Sequence, residues 1–235
     1  MPENDRGASS DRAERWRQLG TPRRELERLR ERQAAQGDAA HARFEESVLL
    51  TSGELGYRQT TVREVLARCH GNRVQFYDHF SSVGDCYAAA YEGEIDRLVG
   101  ALLATAKAQG GWRAGLRAAL AELGRFAVER PLLARGVLVE VHVAGGPAMA
   151  KREEVFERLT RAIDSARRET DESRHSPPPI TAAFMVSAIE ESVAMALVKG
   201  EPRRFTASVP ELAFLASSAY FGDEIAREEL ARAGG

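Results

Sequence analysis

The feature that most constrains this chain is a helical repeat that never gives way to a strand. Over 85–107, Tyr87, Tyr91, Ile95, Leu98 and Leu102 recur at spacings of three and four, which places them on one stripe of an α-helix. A stripe of that length must be covered by other helices, and the sequence supplies them. Helical patterns follow at 112–129, 131–144, 148–169, 180–199 and 206–221, and the Pro-rich "DESRHSPPPI" separates two of them. No segment keeps the two-residue alternation of a strand, and no internal repeat occurs. The expected fold class is all-α. Hydrophobic residues make up 43% of the 235, enough for a helical body with a core of its own.

Upstream the pattern changes. Residues 1–20 are polar and without period, and are expected to be a disordered tail. Thr21 and Pro22 open a highly charged helix that ends near Gly37. It reads either as a solvated helix or as an arginine-bearing arm that adds phosphate or minor-groove contacts. Asp38 caps a second helix to about Leu55, with Phe44, Val48 and Leu55 at helical spacing, and Gly56 ends it. Thr60 or Thr61 then caps a short helix with Val62, Val65 and Leu66 inward. "CHGN" is a turn, and Asn72 caps one more short helix over 73–80. Two short helices across a tight turn make a helix-turn-helix. The expected organisation is 1–37 (tail and charged helix), 38–84 (helix-turn-helix domain) and 85–235 (helical body).

The residue types on the second short helix fit its role. In a helix-turn-helix that element enters the major groove of DNA. Arg73 can read guanine and Gln75 adenine through paired hydrogen bonds. Tyr77 and His79 carry donors suited to flanking phosphates, and Asn72 stands at the head of the helix. Backbone N–H groups at Thr60 and Thr61 would meet another phosphate. The whole chain carries a net charge of −2, yet Arg58, Arg63, Arg68 and Arg73 outnumber Glu64 and Asp78 in this segment. Double-stranded DNA is the expected partner.

On these residues the chain resembles the tetracycline-repressor (TetR) family of bacterial transcription regulators. The resemblance is carried by Gly56-Tyr57, Thr60-Thr61-Val62, the pattern over 65–72, "FYDHF" at 76–80 and "SSVGDCYAAAYEGEIDRL" after it, and covers about 43–98. Two positions depart from the family pattern. His70 stands where the family usually has Gly, and Val83 where it often has Lys. The first moves the turn glycine to Gly71 or forces His70 into a left-handed conformation; the second resembles a lost phosphate contact. The resemblance implies a ligand-binding and dimerisation domain after Asp85, a homodimer on a palindromic operator, and a small apolar or amphipathic effector that releases a repressor. The competing expectation is a TetR-like helical module that binds a small molecule or protein and has lost DNA binding.

Pocket candidates are polar residues on apolar stripes. Glu140 shares its face with Leu133, Val137 and Ala144; Glu191 shares its face with Phe184, Ala188, Met195 and Val198. Each carboxylate would face a ligand, pair with an arginine or simply lie exposed, since burying it alone is costly. Trp112, Phe126, Val137, Phe184 and Met195 would be pocket wall or core. Catalysis is not expected. The one Glu-x-x-His match, Glu172 to His175, falls in the Pro-rich loop, and no phosphate-cradling Gly loop or Ser-His-Asp set occurs. Cys69 and Cys86 suit packing. No cofactor, metal, membrane span or secretory signal is expected, so the compartment would be cytoplasmic.

Overall fold

The computed structural model describes residues 22–169 and 177–231, with side chains described from residue 37 onward except at 167. The expected tail, Glu172, His175 and the side chains of the charged segment over 22–36 lie outside the described residues. Within them the chain is helical throughout and forms no strand. The described residues divide into two compact units, with the boundary between Ala42 and Arg43.

Helix α1 is Pro22–Leu55. This corrects the expected break at Gly37 and Asp38. A glycine inside a helix costs about 1 kcal/mol relative to alanine, and the neighbouring Ala34, Ala35, Ala39 and Ala40 are strong enough helix formers to carry the element through. A 3-10 turn at Tyr57–Gln59 leads to α2, Val62–Cys69, then to α3, Arg73–His79, and α4, Val83–Lys107. Ser82 caps α4 by accepting the Asp85 N–H at 3.0 Å, so the helix begins two residues before its apolar stripe suggests. Tyr87, Tyr91, Ile95, Leu98 and Leu102 are all buried, each burial worth about 1.5–3 kcal/mol. They face α5, Trp112–Glu129, and α8, Gly146–Asp164.

The expected helix over 131–144 is two helices, α6, Pro131–Leu138, and α7, Val141–Ala144. Glu140 sits in the break between them. Helix α9, Thr181–Val198, packs on α6 and α8, and α10, Pro202–Phe221, packs on α5 and α9. After Gly222, whose φ of 83° only glycine adopts freely, comes α11, Asp223–Ala231, an element without counterpart in the sequence expectations. Its Glu229 is fully buried against Arg113, 3.3 Å from Nε, and Arg117, 2.5 Å from Nη1, so α11 is clasped to α5 by charge.

Glycine decides one crossing. At the contact of α1 with α6, a Cβ on Gly53 would overlap the Leu132 carbonyl oxygen, and one on Gly136 would overlap that of Leu49. The two backbones touch because neither residue has a side chain. Among the described residues, Thr181–Val198 is the one helix long and apolar enough to cross a membrane by length and composition. Glu190 and Glu191 interrupt its apolar run.

Candidate functional site

The helix-turn-helix head is built from α2, α3 and the turn between them. Thr61 caps α2, its hydroxyl accepting the Glu64 N–H at 3.4 Å. Asn72 caps α3 in the same way, accepting the Gln75 N–H at 2.9 Å. The turn settles both alternatives raised by the missing family glycine. His70 is left-handed at φ 52°, ψ 34°, and its N–H still closes on the Leu66 carbonyl. Gly71 serves space instead: a Cβ there would come within 2.6 Å of the Phe44 ring. Phe44 in turn meets Phe76 edge-on with centroids 5.4 Å apart.

Phe76, fully buried, docks α3 onto the unit and fixes which face remains outside. Arg73, Val74, Gln75, Tyr77 and Asp78 are all exposed, so a surface bearing a guanidinium, an amide and a phenol projects from the head. His79 is half-buried, with its ring 6.1 Å from that of Phe44. Thr60 is a correction. Its N–H bonds the Tyr57 carbonyl at 3.0 Å and its hydroxyl bonds Gly56 O and Ser52 Oγ. It is a buried strut of the 3-10 turn, whose geometry spends its backbone donor, and it offers nothing to a phosphate. Arg68 is likewise occupied, bonding Thr51 at 3.1 Å and pairing with Glu54. Arg58, Arg63 and Arg73 stay exposed.

A partly buried tether joins the head to the helical body. The Tyr57 N–H donates to Glu140 Oε2 at 2.8 Å, and Arg135 Nε lies 3.7 Å from the other carboxylate oxygen. The Tyr57 ring meets Tyr87 edge-on at 4.9 Å, and the Tyr87 hydroxyl donates to the Gly136 carbonyl at 2.7 Å. Glu140 is therefore neither solvent-exposed nor pocket wall. The helix break after Leu138 turns its side chain toward the head.

Inside the body lies a cavity of about 1080 Å³. Its walls are mostly aliphatic, from α4, α5, α8 and α9, with Val137, Leu138, Val141 and His142 completing one side. Of the expected pocket residues, Trp112, Val137 and Glu191 line it. Trp112 packs against Tyr220 and Phe221 at 5.5 and 5.7 Å, while its backbone N–H donates to Glu169 at 3.0 Å. Phe126 does not line it; it is buried one turn beyond Leu123, the last α5 residue on the wall. Phe184 and Met195 do not either. They are 65% and 42% exposed, because the stripe they share points out of the body.

The cavity is polar at one end. Arg152 pairs with Glu190 at 2.6 Å and lies over the Phe156 ring. Burial pushes the Glu190 carboxyl above the usual carboxylate range, and Arg152 pulls it back. Burial also holds His142 below its ordinary value, with Arg152 adding and Glu191 opposing. Sequence reasoning named Glu191 as a pocket residue but missed Tyr91, His142, Arg152 and Glu190. Arg152 and Glu190 sit 38 positions apart, and nothing in a helical period signals that they meet.

A helix-turn-helix head fused to a hollow helical body is an architecture seen among solved structures, and the fold is that of TetR-family transcription regulators. A regulator of that family from Marinobacter aquaeolei VT8 superposes with a TM-score of 0.63 at 18% identity, over 80% of this chain and 98% of its own. The regulator FadR from Bacillus subtilis, in complex with stearoyl-CoA, gives 0.65 at 14% identity, over 76% and 98%. A gamma-butyrolactone receptor (ArpA-like protein) gives 0.64 at 19% identity, over 85% and 96%. At these identities the likeness is one of fold. No protein-family model and no curated protein sequence matches the chain.

Proposed function

We propose that this protein is a ligand-responsive, sequence-specific DNA-binding transcriptional regulator, a cytoplasmic repressor that a small apolar or amphipathic effector releases from its operator. The observation that carries the reading is α3. One aromatic, Phe76, buries it, and every other contact-capable side chain but the half-buried His79 is left to solvent. Arg73 and Gln75 are the base-reading residues of this proposal. Tyr77 and His79 are its phosphate contacts, with Thr61 and Asn72 shaping the two helix ends. The cavity is the effector site, consistent with neighbours whose names include stearoyl-CoA and gamma-butyrolactone as ligands.

The outward faces of α9 and α10 support a homodimer. Phe184, Met195 and Val198 on α9 and Leu215 on α10 are exposed, an apolar surface suited to a second copy in a four-helix bundle. That surface also accounts for the apolar composition of α9 without a membrane. A two-fold dimer would set two reading heads about 34–36 Å apart, one turn of DNA.

Fluorescence anisotropy against DNA flanking the protein's own gene, across a salt series, tests the reading. Specific binding should be tight, steeply salt-dependent, and weakened about 5–100-fold in Arg73→Ala. Tyr77→Ala should weaken binding while leaving the fold intact. Binding that is weak on both that DNA and a randomised pool would favour a helical ligand-binding module without DNA, the alternative suggested by Val83 at the head of α4.

A further inference from the structure

Helix α3 carries one side chain that the protein itself does not use. Successive residues turn about 100° around a helix, so bearings can be taken from Phe76, which is buried. Phe80, also buried, lies within about 40° of it. Arg73 and Tyr77 fall on one flank and Gln75 on the other, about 60–100° from Phe76. The bearing opposite Phe76, about 160° round, belongs to Val74 and, one turn later, to Asp78. The residue at the centre of the outward face, near its amino end, is thus apolar.

Val74 is 72% exposed, and folding gives no reason for it. A β-branched residue is a poorer helix former than alanine or lysine. Val74 belongs to no apolar patch either. Around it stand Arg73, Gln75, Tyr77 and Asp78, all exposed, and a protein partner would need a broader apolar surface. A lone branched apolar group ringed by hydrogen-bonding side chains suits a surface of the same make, polar edges around a single methyl. In the major groove thymine alone offers that, its 5-methyl group standing beside hydrogen-bonding atoms. The amino end of a reading helix is the part that meets base edges. Asp78, whose carboxylate phosphates repel, keeps the other end of that line away from the backbone. In a helix valine holds essentially one rotamer, so its methyls are in place before DNA arrives.

Taking α3 as the reading helix of the regulator proposed above, we infer that Val74 is a specificity-determining residue, which packs on the 5-methyl group of a thymine in each operator half-site, beside the bases met by Arg73 and Gln75. Those two read by hydrogen bonds. Val74 reads a group that makes none, and so separates thymine from cytosine.

Selection of duplexes from a randomised pool by the full chain gives the operator, and fluorescence anisotropy then follows deoxyuridine in place of each thymidine in turn. That exchange removes one methyl group and leaves base pairing intact. At one thymine per half-site it should weaken binding about fourfold, the worth of burying one methyl-sized group. In Val74→Ala it should change nothing there. At the same position 5-methylcytosine should bind better than cytosine by a similar factor, again only with Val74 present. The variant should fold as well as the unaltered protein, since alanine is the better helix former at an exposed position, and thermal melts check this. A selected operator in which no thymine methyl matters would overturn the inference and leave the regulator reading standing. So would a methyl effect undiminished in Val74→Ala. A pool that yields no preferred sequence would sink both.

Discussion

Removing the Glu140 carboxylate should loosen the helix-turn-helix head while sparing the cavity. In Glu140→Ala the Tyr57 N–H loses a charged acceptor 2.8 Å away, and Arg135 loses the carboxylate 3.7 Å from its Nε. A hydrogen bond to a charged group contributes about 1.5–3 kcal/mol, and stranding a buried donor adds to that. A loss of about 3 kcal/mol is expected, a fall in Tm of roughly 6–12 °C for a chain of this size. Glu140→Gln keeps an oxygen for Tyr57 and gives up only the charge, so about 1 kcal/mol and roughly 2–4 °C are expected. Thermal melts give the ordering, and hydrogen exchange gives the place. The Tyr57 amide should lose protection in Glu140→Ala while amides over 85–107 keep theirs. Equal melting of all three proteins, or an unchanged Tyr57 amide, would refute the tether.

Three further predictions follow, two from the turn and one from the cavity rim. Gly71→Ala drives a Cβ to 2.6 Å from the Phe44 ring and 3.1 Å from Cys69 Sγ, so it should cost about 1–3 kcal/mol. His70→Gly relieves a left-handed side-chain-bearing residue and should gain about 1 kcal/mol; opposite shifts of the urea midpoint at constant slope would establish both. His142 titrates below its ordinary 6.5 in the folded protein, chiefly because burial disfavours the imidazolium. Its contribution to stability is therefore present above 6.5, where both states are neutral, and is lost as pH falls from 6.5 through the folded value. His142→Gln should flatten that part of the stability–pH curve, measured by urea midpoints from pH 7.5 to 5.

Much of the frame could be read from residue types alone. The stripe from Tyr87 to Leu102 fixed α4, and the caps Thr61 and Asn72 fixed the two short helices, because capping and period are local. What escaped was everything that depends on two distant segments meeting. Glu140 was legible as a carboxylate on an apolar face, one that an arginine or a ligand would have to satisfy. The arginine alternative holds in part through Arg135, yet its main partner is a backbone N–H at Tyr57, which no side-chain pattern can announce. Thr60 looked like a free donor because the 3-10 turn that consumes its N–H has no sequence period. Phe184 and Met195 were apolar at the right spacing, but period gives a stripe and not the side on which the body lies.

The placement of Glu140 also says how an effector could be felt at the head. Val137, Leu138, Val141 and His142 line the cavity, and Glu140 stands between them in the chain, bonded the other way to Tyr57. Nearby, the glycine contact of Gly53 with Leu132 and of Gly136 with Leu49 leaves no slack between α1 and α6. A ligand that presses α6 and α7 outward cannot be absorbed by that crossing, since backbone meets backbone there. The displacement must pass to α1 and to the turn at Tyr57. A coupling of about 1–3 kcal/mol would change DNA affinity about 5–150-fold, comparable to what the Tyr57–Glu140 bond alone can supply. On this argument Glu140→Ala should retain ligand binding in the cavity and lose most of the ligand's effect on DNA. If the effect persists in full, the signal travels through α4 instead, whose Ser82 cap directly follows the reading helix.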